Sequence, residues 1–386
     1  MTQLATPSIE RDESVRRAYA ADASGLLMVP EGVARPTSAA EVAAVLAESN
    51  ATGTPVTCAG GQTSTTGASI SDKGIVLSLR GMDRVIDLDP VARTVRAEPG
   101  VFVGELKRAC AAHGLLLAPD PTSEEECTLG GAVACNASGA RTFRYGATRP
   151  HVRALKVALA DGSILDLRRP ALEKNTVGYA LAHDPVDWFV GSEGTLGVVV
   201  EVELGLLPLP EAVIGLAIPF ATEQDALAFV VAARESRQVH PRCLEFFDRR
   251  ALAIAREAES TPGWAKDADA FVYVEEVPPN GTAPALDEWL ELAEQKGALT
   301  DDVNVYEGEA SLREARRVRH AVPATMNERG SARCSPRRAP SPTSPVSSRR
   351  SRMATPATVT RTRTSSPTTR TSCDASRRWW SRRCAR

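Results

Sequence analysis

The stretch that decides the fold reads Cys58-Ala59-Gly60-Gly61-Gln62-Thr63-Ser64-Thr65-Thr66-Gly67 and follows a short strand-like run, residues 54–57. Gly60 and Gly61 lack a Cβ, so the backbone can turn tightly and bring its N–H groups close to an anion. The hydroxyl side chains add donors, and Gly67 lets the chain leave the turn. The stretch is a candidate phosphate-binding loop, although read alone it fits an ordinary Gly/Thr-rich turn better. It is neither a Walker loop, because no Lys follows the glycines, nor a Gly-x-Gly-x-x-Gly dinucleotide fingerprint.

Further glycine-bearing motifs follow at a distance, and they favour the binding loop. They read Pro119-Asp120-Pro121-Thr122-Ser123, Thr128-Leu129-Gly130-Gly131, Asn136-Ala137-Ser138-Gly139, Arg144-Tyr145-Gly146 and Gly191-Ser192-Glu193-Gly194-Thr195-Leu196-Gly197. Motifs in this order resemble the FAD-binding domain of the vanillyl-alcohol oxidase and p-cresol methylhydroxylase superfamily. Its 2-hydroxy-acid branch (D-lactate dehydrogenases, the glycolate oxidase flavoprotein subunit and D-2-hydroxyglutarate dehydrogenases) is more similar than UDP-N-acetylenolpyruvoylglucosamine reductase. The resemblance covers roughly residues 28 to 330.

The resemblance implies a set of FAD-binding residues. The loop around the diphosphate would use Gly60, Gly61, Gln62, Thr63, Ser64 and Gly67. The flavin ring, ribityl chain and pocket wall would use Pro119, Pro121, Ser123, Thr128, Gly130, Gly131, Asn136, Ser138, Gly139, Tyr145 and Gly146. The polar edge of the flavin would meet Glu193, Gly194, Gly197 and Val198. Gly130-Gly131 is expected to offer free N–H groups. For Asn136 a cap and a ligand contact are equally favoured, and Tyr145 fits the core better.

The same resemblance implies FAD held without a covalent bond. Gln62 stands where covalent members of the superfamily carry a His, and an amide cannot form that bond. For catalysis, Arg319 stands where the family often has an arginine that binds the substrate carboxylate, which suits its bidentate fork. For an arginine in a basic cluster a surface role is the more common one, and the neighbouring His320 is more typical of a structural residue. The histidines show no metal-ligand spacing, so no metal is predicted.

Composition sets the class of protein. With 43% hydrophobic residues the chain can bury a core, and no run of about 18 apolar residues predicts a membrane span. The N-terminus, with Glu10, Asp12 and Glu13, lacks the apolar segment of a signal peptide. Eight cysteines without a Cys-x-x-Cys pair indicate thiols in a reducing compartment, so we expect a cytoplasmic protein.

The pattern of apolar residues and breakers predicts an α+β chain of several parts. Residues 1–27 are predicted to form a leader helix, residues 28–210 a first α+β domain and residues 211–330, where strands and helices alternate, a second one. The family resemblance implies that the first is a two-part FAD-binding domain of the p-cresol methylhydroxylase type and the second a partial, ferredoxin-like cap domain over the substrate. Within the first domain, Ser38-Ala39-Ala40-Glu41 is a capping box that opens a helix to about Asn50.

Residues 331–386 have another character. They carry 14 arginines, no lysine and one acid, Asp374, whereas the rest of the chain has 47 acids against 32 bases. Low hydrophobicity and Arg, Ser, Thr and Pro predict a disordered basic tail, and a nucleic-acid-binding arm is a second interpretation. We favour out-of-frame translation. One choice of codons for residues 353–363, read from the third base, encodes Gly-His-Ala-Gly-Asn-Gly-His-Pro-His-Gln-Asn, a histidine signature of the kind the family carries near this position.

Three functional hypotheses follow. The first is an FAD-dependent dehydrogenase or oxidase of a small 2-hydroxy acid, impaired because its C-terminal region is lost. The second is a flavin-binding subunit without independent turnover, which takes its electron acceptor or active-site residues from a partner such as an iron–sulfur subunit. The third is a basic-tailed binding protein. We predict the first, with no nucleic acid among its partners.

Overall fold

The helices and strands follow the sequence pattern closely in the computed structural model, which describes residues 7–170, 184–258, 264–279, 282–313, 315–316, 322 and 325. The tail over 331–386 and the predicted residues Arg319 and His320 lie outside the described residues. Residues 308–313 are helical.

The first part of the chain alternates short strands with short helices. Its elements are α1 (Glu13–Ala18), β1 (Gly32–Ala34), α2 (Ala39–Thr52), β2 (Val56–Ala59), β3 (Ile75–Ser78), β4 (Val85–Asp89), β5 (Thr94–Ala97), α3 (Val103–Ala111), β6 (Leu115–Leu116), α4 (Leu129–Ala134), α5 (Thr142–Tyr145), β7 (Val152–Ala158), β8 (Ile164–Arg168), α6 (Pro185–Phe189), β9 (Val198–Gly205) and β10 (Leu207–Pro208).

A small parallel sheet, in the order β1-β3-β2, carries the glycine loop at the end of β2. Helix α2 covers the sheet because Val42, Val45 and Leu46 bury their side chains against Ile75 and Leu77. The predicted capping box holds at its first residue, since the Ser38 hydroxyl accepts from the Glu41 N–H at 3.3 Å. The loop therefore starts from a rigid strand end.

An antiparallel sheet in the order β4-β5-β9-β7-β8 forms the other half of this region, and β10 pairs with β6 beside it. The hairpins β4–β5 and β7–β8 turn at Asp89-Pro90 and Asp161-Gly162, two residue pairs that favour turns. Helices α3, α4 and α6 bury Leu106, Val133 and Val186 with the residues of β7 and β9. The two sheets together give the two-part architecture predicted for the flavin domain.

The second part has the elements β11 (Ile214–Phe220), α7 (Glu223–Glu235), β12 (Pro241–Phe247), α8 (Arg249–Ala258), β13 (Ala270–Glu276), α9 (Leu286–Gln295) and β14 (Asn304–Glu307). Its sheet is antiparallel in the order β12-β13-β11-β14. Counted along the chain, this is the order 2-3-1-4 of a ferredoxin-like fold, with α8 inserted between the second and third strands. The α+β cap prediction agrees with this topology.

Two details differ from the expectation. Of the leader helix predicted over 1–27, the described residues 7–27 are helical only at Glu13–Ala18, because Ala21 and Leu27 form an antiparallel bridge across a turn at Gly25. Strand β14 was not predicted, because its residues are largely exposed and lack an apolar alternation. Among the described residues, every helix is too short or too polar to span a bilayer. That same part of the chain holds no cluster of His, Cys, Asp or Glu suited to a metal ion.

Candidate cofactor site

The glycine loop, residues 58–67, presents a row of unused backbone donors. Among the described residues, none accepts a hydrogen bond from the N–H groups of Gly60 to Thr65. Gln62 has φ 55°, in the left-handed region, and left-handed residues within such loops turn successive N–H groups towards one concavity. The loop is only partly buried up to Ser64, so these donors remain open to a ligand. This is what a diphosphate requires.

The two loop glycines are needed because the loop lies directly on the segment before α4. A Cβ on Gly60 would overlap the hydroxyl oxygen of Thr128, and a Cβ on Gly61 would overlap the carbonyl oxygen of Glu126. The glycine loop and the segment before α4, which are more than sixty residues apart in the chain, therefore form one surface.

The turn at the start of α4 offers fewer donors than expected. The Gly130 N–H donates to the Pro99 carbonyl at 2.8 Å, and the Leu129 N–H donates to Val101 at 2.8 Å. The Gly131 N–H reaches the side chain of the N-cap residue Thr128 at 3.4 Å. The prediction of free N–H groups is thus wrong for Gly130, because its N–H is already bonded to the carbonyl of Pro99, in the segment before α3. Thr128 and the glycines shape the wall instead.

The segment 119–123 is joined to the segment 136–146. Pro121 and Gly139 form an antiparallel bridge, and a Cβ on Gly139 would overlap the Asp120 carbonyl. The buried Asp120 carboxylate accepts from the Arg141 N–H at 3.2 Å. Asn136 has φ 47°, and its side-chain oxygen accepts from the Arg149 N–H at 2.9 Å. This bond ties Asn136 to the turn that leads into β7.

The motif at residues 191–197 contacts both the glycine loop and the end of α4. A Cβ on Gly194 would lie 3.2 Å from the Sγ of Cys58, at the end of β2. Glu193, with φ 50°, donates its N–H to the Ala134 carbonyl at the end of α4. The glycine loop, the α4 turn and this motif thus converge, although each comes from a separate part of the sequence.

The remaining predicted residues occupy varied positions around this junction. Thr63, Ser64, Ser123 and Tyr145 are half-buried, Ser138 and Glu193 are exposed, and Pro119, Pro121 and Val198 are buried. Gly67 and Gly146 have φ 80° and 78°, conformations that favour glycine. The position of Gly67 also brings it against Leu26, whose side chain is 48% exposed and offers an apolar edge beside the loop.

These observations fit FAD. Its diphosphate requires several convergent donors, and the loop offers a row of unused N–H groups together with the hydroxyls of Thr63 and Ser64. Gln62 turns its amide away from that row, because its Nε2 donates to the carbonyls of Tyr19 at 3.3 Å and Ala21 at 2.9 Å. The amide therefore anchors the N-terminal segment.

A buried cluster of charges lies next to Gly139 and was not foreseen from the sequence. This arginine cluster consists of Arg141, Arg242, Arg316, Glu275, Glu309 and Tyr273. Arg141 and Arg242 donate to the same oxygen of Glu275 at 3.0 and 2.8 Å. Arg316 Nε lies 3.0 Å from the other oxygen, which also accepts from the Tyr273 hydroxyl at 3.0 Å. The cluster connects the segment after Gly139 to the sheet of the second part.

The electrostatics of the cluster keep its acids ionised. Burial alone would raise the pKa of Glu275, but Arg141, Arg242 and Arg316 outweigh it and lower the pKa to about 2. The pKa of Glu309 is likewise lowered to about 2 by the same three guanidinium groups against the effect of burial. Burial and the Glu275 charge raise the pKa of Tyr273, so this phenol stays protonated. None of the six lies in a quoted motif: Arg141 follows Gly139 by two residues, and the others lie in ordinary strand and helix sequence.

Comparisons with known proteins agree with this geometry. Residues 30–168 match the family described as "FAD binding domain". Residues 209–335 match the family described as "FAD linked oxidases, C-terminal domain". The two matches fall on the two parts of the fold described above.

Curated relatives carry names from the 2-hydroxy-acid branch. The chain is 34% identical over 263 residues to a D-lactate dehydrogenase of Archaeoglobus fulgidus, covering 67% of this chain and 57% of the relative. It is 38% identical over 226 residues to a D-2-hydroxyglutarate dehydrogenase of Xanthomonas citri pv. viticola, covering 58% of this chain and 46% of the relative. With the glycolate oxidase subunit GlcD of Bacillus subtilis it shares 32% over 292 residues, covering 75% and 61%. The chain thus spans about half the length of these curated relatives.

A solved structure of an alkyldihydroxyacetonephosphate synthase has the same fold. It superposes with a TM-score of 0.66 over 82% of this chain and 65% of the other, at 18% identity. At this identity the likeness concerns the fold.

Proposed function

Because the chain carries the FAD binding domain and the C-terminal domain of FAD linked oxidases, we propose that it is an FAD-dependent oxidoreductase that oxidises a small 2-hydroxy acid. The observation that carries the proposal is the row of unused N–H groups from Gly60 to Thr65 at the place where three glycine motifs converge. The names of the relatives supply the substrate class: D-lactate, glycolate or D-2-hydroxyglutarate.

The proposed roles follow from the chemistry. The glycine loop holds the diphosphate through its N–H groups and the hydroxyls of Thr63 and Ser64. Gly194 lets the motif at residues 191–197 pack closely against Cys58, at the start of this loop. Bound FAD supplies, at its N5 atom, the acceptor for the hydride of the substrate α-carbon. Arg319 is proposed to bind the substrate carboxylate through its fork. The guanidinium groups of Arg141, Arg242 and Arg316 are already paired with Glu275 or Glu309, so they are less suited to that task.

The alternative within the same fold is a flavin-binding subunit without its own turnover. The relatives named as GlcD are subunits, and the chain spans 61% of one of them. An electron-accepting partner, for example one with an iron–sulfur cluster, belongs to this alternative. For the dehydrogenase we propose reduced activity, because the histidine signature that the family resemblance implies near the C-terminus has no counterpart in the tail, which contains no histidine. A cytoplasmic location stays part of the proposal, since the cysteines of the described residues form no disulfide bond.

The test uses the purified full chain. Bound flavin absorbs at about 450 nm, so the protein as isolated, or after addition of FAD and gel filtration, is expected to show this band. Under anaerobic conditions each of the three hydroxy acids is then added, with the L-enantiomers of lactate and 2-hydroxyglutarate as controls. Bleaching by one D-acid or by glycolate supports the dehydrogenase, and a stable band with all acids supports the subunit without turnover. A protein that takes up no FAD would overturn both.

A further inference from the structure

Arg80 lies beside the glycine loop and has no role assigned by the motifs. It follows the end of β3, and its guanidinium donates from Nε to the Gly60 carbonyl at 2.9 Å and from Nη2 to the Gly61 carbonyl at 3.1 Å. One planar fork thus binds two successive carbonyl oxygens. Among the described residues, no acidic side chain forms an ion pair with Arg80, so its hydrogen bonds are given to the loop backbone.

The peptide geometry turns these two bonds into an orientation of the loop. A trans peptide is planar, and its C=O and N–H point in opposite directions. When the carbonyls of Gly60 and Gly61 point at Arg80, the N–H groups of Gly61 and Gln62 must point away from it. These are two of the donors that remain unused, and the left-handed φ of Gln62 continues the same curvature.

Glycine makes this restraint necessary. Gly60 and Gly61 have no side chains to limit their peptide orientations, so an unrestrained loop would spread over several conformations. The overlaps with Thr128 and Glu126 fix where the loop lies, but they do not fix which way each carbonyl points. The fork of Arg80 supplies the missing constraint, and its positive charge polarises the same two peptides so that their N–H groups become better donors to an anion.

We propose that Arg80 is a positioning residue of the cofactor site, which holds the N–H groups of Gly61 and Gln62 towards the diphosphate. Arg80 itself does not touch the cofactor. This inference rests on the proposed function, because it requires that the loop binds the diphosphate of FAD. It predicts an effect limited to ligands that carry a diphosphate.

The test compares Arg80→Met and Arg80→Lys with wild type and with Arg84→Met in the full chain. Arg84 is a matched control, because it is an exposed arginine on the same stretch whose fork binds Glu98 instead of the loop. Dissociation constants are measured on flavin-free protein for FAD, for ADP, which has a diphosphate and no flavin, and for riboflavin, which has a flavin and no phosphate. Thermal unfolding of the flavin-free proteins is recorded alongside.

We expect Arg80→Met to weaken FAD and ADP binding about tenfold each, the scale of a hydrogen bond to a charged group, and to leave riboflavin binding unchanged. Arg80→Lys should be intermediate, because an ammonium keeps the charge and lacks the fork. Equal loss for all three ligands, or no loss for FAD, overturns the inference. If Arg80→Met does not fold, Arg80→Lys must weaken the binding of FAD and ADP and leave the binding of riboflavin unchanged. If the wild-type protein fails to bind FAD, the proposed function is refuted. If wild type and Arg80→Met bind FAD equally well, this inference alone is refuted.

Discussion

Arg141, two residues after the end of the motif at residues 136–139, donates from its Nε to the Oε2 of Glu275 on β13 at 3.0 Å. The two side chains are 6% and 0% exposed, so the pair is buried. One partner belongs to the segment that matches the FAD binding domain and the other to the segment that matches the C-terminal domain. The ion pair therefore links the cofactor region to the sheet of the second part.

Replacement of Glu275 by Gln should destabilise the protein strongly. It removes the buried carboxylate that three guanidinium groups share, and the loss of one partner of a buried pair typically costs about 3–5 kcal/mol of unfolding free energy. Urea unfolding followed by circular dichroism measures this change. Glu13→Gln is the control, because its pair with Arg17 is exposed and should contribute less than about 1 kcal/mol. Equal effects of the two replacements would show that the cluster does not stabilise the fold.

The cluster should also set the stability of the protein in acid. The pKa values of Glu275 and Glu309 are lowered to about 2 in the folded protein from 4.5. The unfolded chain therefore binds protons first, so their contribution is fully present above about pH 4.5 and is lost as the pH falls towards 2. Urea unfolding at a series of pH values measures the slope. We expect the double variant Glu275→Gln/Glu309→Gln to have a shallower slope than wild type between pH 2 and 4.5, and an unchanged slope would contradict the assignment.

The sequence carried enough information for the flavin domain because its constraints are local. Gly60 and Gly61 are visible as glycines, and they are required by contacts with Thr128 and Glu126. The capping signal at Ser38 and the turn at Asp161-Gly162 likewise act within a few residues. The alternation of strands and helices in the second part agreed with expectation for the same reason, since each element has its own period, whereas the ferredoxin-like order of its sheet was implied by the family resemblance.

What the sequence did not reveal depends on distant pairs. Arg242 and Glu275 are 33 residues apart and are both fully buried, yet neither stands in a motif that marks it as buried. The engaged N–H of Gly130 was missed because its acceptor, Pro99, is contributed by a segment thirty residues earlier. Arg80 was missed because its partners are backbone oxygens, which have no sequence signature.

A methyl group on the glycine loop should abolish tight FAD binding. In Gly61→Ala the new Cβ would overlap the carbonyl oxygen of Glu126, a backbone atom that cannot rotate away, so the loop must shift from the segment before α4 and its N–H groups are displaced from the diphosphate. We expect at least a tenfold rise in the dissociation constant for FAD, with about 1–3 kcal/mol of destabilisation from overpacking. Fluorescence titration of the flavin-free protein measures the binding.

The control for this change is Gly114→Ala. Gly114 has φ 70° and nothing within 4 Å of its Cβ position, so alanine there adds backbone strain without a clash. FAD affinity should stay at the wild-type value. If both variants lose FAD equally, the effect reports general destabilisation, and the loop contact is not its cause.

The flavin should be removable without breaking a covalent bond. The Gln62 amide is occupied by the carbonyls of Tyr19 and Ala21, and an amide does not form a bond to the flavin methyl group. Acid precipitation is expected to leave all of the yellow colour in the supernatant, and the protein band on a denaturing gel should show no flavin fluorescence. Gln62→Ala should release its flavin in the same way. Fluorescence that stays with the wild-type band would contradict non-covalent binding.

The final prediction concerns the gene. Residues 331–386 combine 14 arginines with no histidine, whereas hydroxy-acid oxidation requires a base near the substrate hydroxyl. If a shift of reading frame near codon 330 produced this tail, the DNA that encodes residues 353–363, read from the third base of the Met353 codon, should encode a run rich in glycine and histidine. Resequencing the genomic DNA across codons 320–386 measures this directly. We expect a protein made from the restored frame to oxidise its hydroxy acid faster than the present chain. An intact frame whose codons give no such run would refute the hypothesis and make the tail a genuine part of the protein.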